Sequence, residues 1–241
     1  MVRITRIIGL GFLLAVTSVG IASQAKAADR YEVTNIKAVR PTLVKTVAAL
    51  KKGDVAAAKI SFDEYDDQWT GIETYINARN KDMYTEMEQG LQGKINKGLA
   101  MPSPDAPALL DLAQMLLAKY DDAIAMVEKG EPLNPLFDDV ARLRIVREDL
   151  RDITPALKAG DVAKARKAFA GFDHKWPSVE GLIKSRSQDA AAAITKDMPQ
   201  IKAALQADKP DADQIAAMVK DLTDKYNGVV NDITKDARAQ K

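Results

Sequence analysis

The residues whose types and spacing are best suited to chemistry are two pairs of carboxylates, each an aspartate and a glutamate seven residues apart with a tryptophan between them. They are Asp66 and Glu73 around Trp69, and Asp173 and Glu180 around Trp176. Seven helical residues are two turns, so the carboxylates of a pair share a face but lie about 10 Å apart along the axis. One metal ion takes its oxygen ligands at roughly 2.0–2.6 Å. A metal site at either pair therefore needs a ligand from another helix; the alternative is that these carboxylates flank the core, solvated or paired with Lys and Arg.

A denser acidic patch precedes the first tryptophan and consists of Asp63, Glu64, Asp66 and Asp67. Asp63 is three residues from Asp66 and four from Asp67, so these three carboxylates can converge on one spot of a helix surface. An all-oxygen cluster suits hard cations such as iron, calcium or manganese, whereas the alternative is a solvated helix face. The single histidine, His174, is either one ligand of a mixed site or an exposed helix residue.

Several kinds of chemistry are excluded by what the sequence lacks. The absence of cysteine excludes disulfides, thiol catalysis and thiolate metal sites. A single histidine excludes histidine-rich zinc sites and two-histidine mechanisms. The sequence has no G-x-S-x-G, no glycine-rich phosphate loop and no H-E-x-x-H. We therefore predict a protein that is not an enzyme.

The N-terminal segment has the pattern of a secretory signal peptide over residues 1–27. Arg3 and Arg6 precede a short apolar stretch, and Ala25-Lys26-Ala27 provides small residues for cleavage before residue 28. We predict export to the periplasm or another extracytoplasmic compartment; an uncleaved anchor is the alternative. Cleavage would leave 32 basic against 34 acidic side chains, a balance that argues against nucleic-acid binding.

The rest of the sequence repeats itself at an offset of 107 residues, which predicts a duplicated unit. Residues 50–79 (LKKGDVAAAKISFDEYDDQWTGIETYINAR) match residues 157–186 (LKAGDVAKARKAFAGFDHKWPSVEGLIKSR). Further on the offset slips to 106, where Tyr120 matches Tyr226. We call residues 28–130 unit 1 and residues 137–241 unit 2, with residues 131–136 as the linker.

Each unit reads as an antiparallel four-helix-bundle-like arrangement, so the predicted fold class is all-α. The predicted helices are 32–52, 54–79, 81–100 and 106–129 in unit 1, and 138–158, 161–185, 188–206 and 211–236 in unit 2. Lys-x-Gly-Asp at 51–54 and 158–161 combines a helix stop with an N-cap. Apolar residues at spacings of three and four around both tryptophans predict core rather than a ligand pocket.

Both tryptophan helices contain a weak point directly after the tryptophan. Thr70-Gly71 follows Trp69, and Pro177 follows Trp176. Because proline removes an amide donor and crowds the preceding turn, we predict a kink or break at this position in both units. Asn80 and Ser187 are good N-cap residues and are expected to end these helices.

The spaced pattern of core residues resembles a known family. Phe169-x-x-Phe172-x-x-x-Trp176-x-x-Val179-Glu180, and its counterpart from Phe62 to Glu73, resemble the periplasmic helical N-terminal extension of bacterial high-affinity, oxidase-linked iron permeases. Unit 1 adds Tyr84-x-x-Met87-Glu88-x-x-Leu91, which is similar to the segment that follows in that family. Unit 2 has Ala191 and Thr195 where that tyrosine and glutamate would stand.

The resemblance implies a free-standing exported module that binds iron or delivers it to an iron permease or another envelope protein. It lacks the permease membrane domain, so it does not transport iron by itself. The glutamates that match the family pattern are Glu73, Glu88 and Glu180, and we add Asp66 and Asp173 from their positions beside the expected kinks. The alternative is a structural or interaction module of the cell envelope with no metal ligand.

Overall fold

The computed structural model describes residues 30–240, and within that range the chain is a helical bundle without β-strands. The predicted all-α class is therefore confirmed. The predicted signal peptide, residues 1–27, lies outside the described residues. Among residues 30–240, no helix is both long enough and apolar enough to cross a bilayer.

Unit 1 consists of two long helices, an interrupted third and a long fourth. In chain order they are α1 (Tyr31–Lys51), α2 (Val55–Arg79), α3 (Lys81–Thr85), a π-helical segment (Glu86–Gln92), α4 (Gly93–Leu99) and α5 (Ala106–Lys129). Unit 2 has more interruptions. It consists of α6 (Leu136–Arg151), α7 (Ile153–Lys158), α8 (Val162–Lys175), a 3₁₀ turn (Trp176–Ser178), α9 (Glu180–Arg186), α10 (Gln188–Gln206) and α11 (Ala212–Ala239).

The Lys-x-Gly-Asp turns have the predicted geometry in both units. Gly53 and Gly160 adopt φ angles of 72° and 74°, a left-handed conformation that only glycine takes readily. Asp54 then accepts a hydrogen bond from the backbone amide of Ala57 at 3.0 Å, and Asp161 caps α8 in the same way. The positive φ stops one helix and the carboxylate starts the next, as predicted.

The core consists of two clusters of buried side chains that meet at α6. The first is built from α1–α5, and Phe137 and Ala141 of α6 join it. The second is built from α6–α11. Matched tyrosines make matching contacts in the two clusters: Tyr120 donates to the Ile36 carbonyl at 2.6 Å, and Tyr226 donates to the Leu143 carbonyl at 2.8 Å. Duplication itself stays a prediction from the sequence.

The predicted break after the tryptophan occurs in unit 2 only. There α8 ends at Lys175, a 3₁₀ turn contains Pro177, and α9 begins at Glu180. In unit 1 no break occurs, because α2 continues through Gly71 to Arg79. A Cβ at Gly71 would lie 2.4 Å from Cγ1 of Ile145, so the glycine permits α6 to approach α2 closely.

Two further predicted helices are interrupted. The predicted helix 81–100 contains the π-helical segment, and the predicted helix 138–158 breaks at Asp152 between α6 and α7. Pro155 explains the second interruption, since it has no amide to bond the carbonyl four residues earlier. The predicted caps at Asn80 and Ser187 are confirmed: their side chains accept from the amides of Met83 and Ala190.

Candidate functional site: a carboxylate cluster in unit 1

Glu73 is a carboxylate on α2 that faces α6 across the boundary between the two core clusters. Its side chain is 16% exposed and binds the guanidinium of Arg144 at 2.5 Å. Burial raises the pKa of Glu73 to about 7, against the opposing charge of Arg144, and the nearby Glu88 carboxylate raises it further. Glu73 therefore changes its charge near neutral pH, which an exposed glutamate does not do.

Glu88 comes from the π-helical segment and lies against Trp69. The Trp69 Nε1–H donates a hydrogen bond to Glu88 Oε2, and the Trp69 ring stacks parallel to Tyr84 with centroids 6.5 Å apart. Burial raises the pKa of Glu88; the tryptophan hydrogen bond opposes that rise, and the Asp66 carboxylate adds to it. Trp69 therefore both packs in the core and holds a carboxylate in place.

Asp66 is the third carboxylate of this cluster. It is partly buried one turn before Trp69 on α2, and burial raises its pKa, while a hydrogen bond with Asn96 opposes the rise. The charge of Asp66 raises the pKa of Glu88, and the charge of Glu88 raises the pKa of Glu73. Glu88 thus lies near both α2 carboxylates, which are about 10 Å apart along the helix, and it is a carboxylate from another segment of the kind that a metal site here would need.

Tyr84 of α3 completes the cluster on its aromatic side. Burial, together with the charges of Glu73 and Glu88, raises the pKa of its hydroxyl to about 12. The hydroxyl is therefore neutral at physiological pH and lies next to Glu73, with which it also hydrogen-bonds. A neutral phenol beside two carboxylates can donate to one of them or offer its oxygen lone pairs.

The π-helical segment also buries a neutral oxygen. Gln92 is 2% exposed, and its side-chain amide donates to the Tyr65 hydroxyl at 2.7 Å. Its Oε1 atom has no hydrogen-bond partner. Gln92 follows Glu88 by four residues, close to one turn of the wide π-helix, and such insertions occur frequently at functional sites.

Three arginines of α6 provide the positive side of the site. Arg144 binds Glu73 directly, and Arg151 acts electrostatically on Asp66, Glu73 and Glu88. Arg147 is partly buried, and burial together with the charge of Arg144 lowers its pKa. The sequence analysis missed these residues, although their spacing of three and four along α6 is a detectable sign of one shared helix face.

The predicted ligands of unit 2 have other surroundings. Asp173 forms an ion pair with Lys202 at 2.8 Å, and Glu180 lines a shallow groove beside Lys184. The structure thus brings Asp66, Glu73 and Glu88 together, whereas Asp173 pairs with Lys202 and Glu180 lies in a separate groove. His174 is exposed, as its alternative interpretation expected.

The carboxylates of the acidic patch do not converge on one spot. Asp63 is exposed and forms an ion pair with Lys59 at 3.0 Å. Asp67 faces α6, where burial and the charges of Glu148 and Asp152 raise its pKa to about 6. Within residues 30–240, no three Asp, Glu or His side chains are arranged to hold one metal ion, so a metal bound at Glu88 would take two carboxylates and neutral oxygens.

Fold and site together define a helical-bundle protein with a half-buried cluster of carboxylates, aromatic rings and arginines. Comparisons with protein-family models, with curated proteins and with solved structures find no significant match for the chain. The resemblance to the iron-permease extension therefore stays a prediction.

Proposed function

We propose that this protein is a non-enzymatic accessory protein of iron uptake, exported to the periplasm, that binds iron weakly through Glu73 and Glu88. One observation carries the proposal: both carboxylates are partly buried, the charge of Glu88 helps to raise the pKa of Glu73, and the pKa of Glu73 is about 7. A bound cation would relieve their mutual repulsion. Asp66 is a further carboxylate near Glu88, and Gln92 of the same π-helical segment has an unpaired Oε1.

Iron is the cargo in this proposal and not a resident cofactor. Carboxylate, phenol and amide oxygens are hard ligands of the kind that iron and other hard cations accept. A site with two carboxylates and neutral oxygens would hold the ion loosely enough to pass it on. Release would be easiest at low pH, because a proton competes with the metal for Glu73.

Arg144 competes with iron for the same carboxylate. Its Nη1 atom binds Glu73 Oε1 at 2.5 Å, so a metal ion has to displace the guanidinium from that oxygen. Removing the guanidinium would free Glu73 Oε1 for a metal ion and strengthen metal binding at a pH where Glu73 is ionised. That pH is higher in the variant, because Arg144 lowers the pKa of Glu73. This competition distinguishes a metal site from an ion pair that only holds helices together.

The test is anaerobic calorimetry of the purified protein with ferrous iron at tens of micromolar. Saturable, stoichiometric binding is expected, and it should disappear in Glu73→Gln with Glu88→Gln. Glutamine keeps the shape and still accepts hydrogen bonds from Arg144 and Trp69, so the fold should survive. The matched control is Asp173→Asn with Glu180→Gln, which removes the same charge from unit 2 and should leave binding unchanged. Absence of binding, or equal binding by both double variants, would refute the proposal.

A second candidate function is supported by the contacts between α2 and α6. Tyr75 of α2 donates to Asp138 of α6 at 2.9 Å, and the Glu73–Arg144 pair joins the same two helices. These contacts favour a rigid structural or interaction module of the cell envelope, in which the carboxylates hold the two units together. Arg144→Gln separates the candidates: a metal site predicts tighter iron binding, and a purely structural role predicts lower stability with no binding in any variant.

A further inference from the structure

The interrupted third helix of unit 1 (α3, the π-helical segment and α4) has one residue more between its core positions than α10 has. In α10 the buried residues follow one another at spacings of three and four; they are Ala191, Ile194, Met198, Ile201 and Leu205. The matching positions of unit 1 are the partly buried Tyr84 and the buried Met87, Leu91, Ile95 and Leu99. The spacings agree as far as Leu91, but the next core residue, Ile95, follows after four residues instead of three. The extra residue therefore lies between Leu91 and Ile95.

Contacts with the tryptophan helices locate the extra residue in the same place. Asn96 forms a hydrogen bond with Asp66 of α2, and Lys202 donates to Asp173 of α8 at 2.8 Å. The two aspartates match at an offset of 107, whereas their two partners match at an offset of 106. Both helices thus place the same position against the same carboxylate, and unit 1 uses one additional residue to reach it.

The π-helical segment, Glu86–Gln92, accommodates this residue. At its end the amide of Gly93 bonds the carbonyl of Glu88, five residues earlier. A single turn of π-helix takes one more residue into a helix than an α-helical turn does, and such turns occur frequently at functional sites. The core residues before and after the segment still face inward, and α10 shows that the same core spacing can be built without it.

The segment directs two polar side chains toward α2. Glu88 accepts the hydrogen bond of the Trp69 Nε1–H. Gln92, which is 2% exposed, donates to the Tyr65 hydroxyl at 2.7 Å. Trp69 and Tyr65 are about one turn apart on α2, and their two partners are four residues apart on the wider helix. The π-helical segment therefore presents one polar face to one face of α2.

The matching face of α10 does not point toward α8. At the offset of 107, Thr195 and Pro199 correspond to the two polar residues of the π-helical segment, and both are exposed. The Nε1–H of Trp176 has no acceptor among residues 30–240. The helix without the extra residue thus leaves its tryptophan unpaired and turns the two positions to solvent.

We propose that the extra residue of the π-helical segment positions Glu88 against Trp69, and that it thereby makes unit 1, and not unit 2, the unit that binds a cation. The core spacing of α10 does not require this residue. Its effect is to widen the helix so that Glu88 and Gln92 face α2 together. The part of this inference that concerns a cation rests on the iron site proposed above, whereas the positioning of Glu88 does not.

The first experiment removes the extra residue. Deletion of Gln92 gives unit 1 the core spacing of α10, and Tyr65→Phe in the same variant removes the hydroxyl that would lose its partner and gives the residue that unit 2 has at position 172. This variant should keep a cooperative urea transition close to that of Tyr65→Phe alone. The matched control is deletion of Gln200 in α10, where the later core residues would rotate by about 100° and the urea midpoint should fall sharply. Equal loss of stability in the two deletion variants would overturn the proposal.

The second measurement follows the Trp69 indole N–H in the nitrogen-15-labelled protein. The chain has two tryptophans, and Trp176→Phe assigns their signals. In Tyr65→Phe, which keeps the extra residue, the Trp69 signal should move with pH as Glu88 ionises, and Glu88→Gln should remove most of this movement. Deletion of Gln92 should have the same effect as Glu88→Gln. Equal movement with and without Gln92 would contradict the positioning role.

Iron binding connects this geometry to the proposed function. Calorimetry with ferrous iron should show binding by Tyr65→Phe and no binding by the variant that also lacks Gln92. Equal affinity of these two variants would overturn the inference that the extra residue makes unit 1 the binding unit. If the wild type binds no iron, the proposed function fails, and the urea and indole measurements still decide whether the extra residue positions Glu88.

Discussion

Glu73 makes the stability of this protein depend on pH in a direction opposite to that of an ordinary ion-paired carboxylate. Its pKa is about 7 in the folded state, against 4.5 for the unperturbed side chain. Between these values the folded protein holds a proton that the unfolded chain has released, so the free energy of unfolding falls as pH rises. The contribution of Glu73 is absent below pH 4.5 and is fully destabilising above pH 7.

The size of this effect follows from the same two values. A shift from 4.5 to about 7 corresponds to about 3 kcal/mol. The side chain is only 16% exposed, so solvent screening reduces this figure little. The Glu73→Gln variant cannot take up this proton. Between pH 4.5 and pH 8, the free energy of unfolding of the wild type should therefore fall by about 3 kcal/mol relative to that of the variant.

The assay is urea denaturation followed by circular dichroism at pH 4.5, 5.5, 6.5 and 8. Glu88, Asp66 and Asp67 also have raised pKa values and add to the slope of the wild type, which is why the difference from the variant is the quantity to measure. Glu86→Gln is the control, because its side chain is 53% exposed and lies in the same π-helical segment. Parallel pH profiles for wild type and Glu73→Gln would refute the reasoning.

Three further predictions concern the stability of the helices and turns, and each is checked by urea denaturation. Glu32 is 5% exposed and bound to two arginines, so Glu32→Ala should lower the free energy of unfolding by about 3–5 kcal/mol. The control is Lys59→Ala, which removes an exposed ion pair and should lower the free energy of unfolding by less than about 1 kcal/mol. Gly71→Ala should destabilise by about 1–3 kcal/mol because its Cβ would lie 2.4 Å from a side-chain carbon of α6; an unchanged midpoint would contradict this packing. Gly53→Ala should destabilise by about 1–2 kcal/mol because φ is 72°, whereas Gly181→Ala, in open space within α9, should stabilise by about 0.5–1 kcal/mol.

The helix ends were predictable because they depend on local chemistry. Gly53 requires a left-handed conformation, and Asp54, Asn80 and Ser187 each offer a side-chain oxygen to a free amide. These effects act within four residues and are therefore visible in the sequence. Pro177 broke its helix for the same local reason.

The features that the sequence did not reveal depend on contacts between distant elements. The sequence suggested that Gly71 weakens α2. In the structure this glycine makes room for Ile145, which is 74 residues away in the sequence. The π-helical segment likewise has no local signal comparable to a proline. The segment is defined by its contacts with α2, because it places Glu88 against Trp69 and Gln92 against Tyr65.

The candidate site was predictable in part. The sequence identified Asp66, Glu73 and Glu88, which lie together, and it showed that unit 2 lacks the counterparts of Tyr84 and Glu88, but it still predicted ligands in both units. Thr195 stands where unit 1 has Glu88, and the Trp176 Nε1–H has no acceptor, whereas that of Trp69 donates to Glu88. The role of Arg144 could not be predicted, because the pairing of α2 with α6 is a property of the tertiary structure.

The most direct test of the iron proposal is the number of protons released when ferrous iron binds, measured by calorimetry in buffers of different ionisation enthalpy. If Glu73, with a pKa of about 7, is a ligand, binding should release about one proton at pH 6 and close to none at pH 8, with affinity rising between them. The Glu73→Gln variant should lose this difference. Binding that is absent, or that releases the same number of protons at both pH values, would contradict the account.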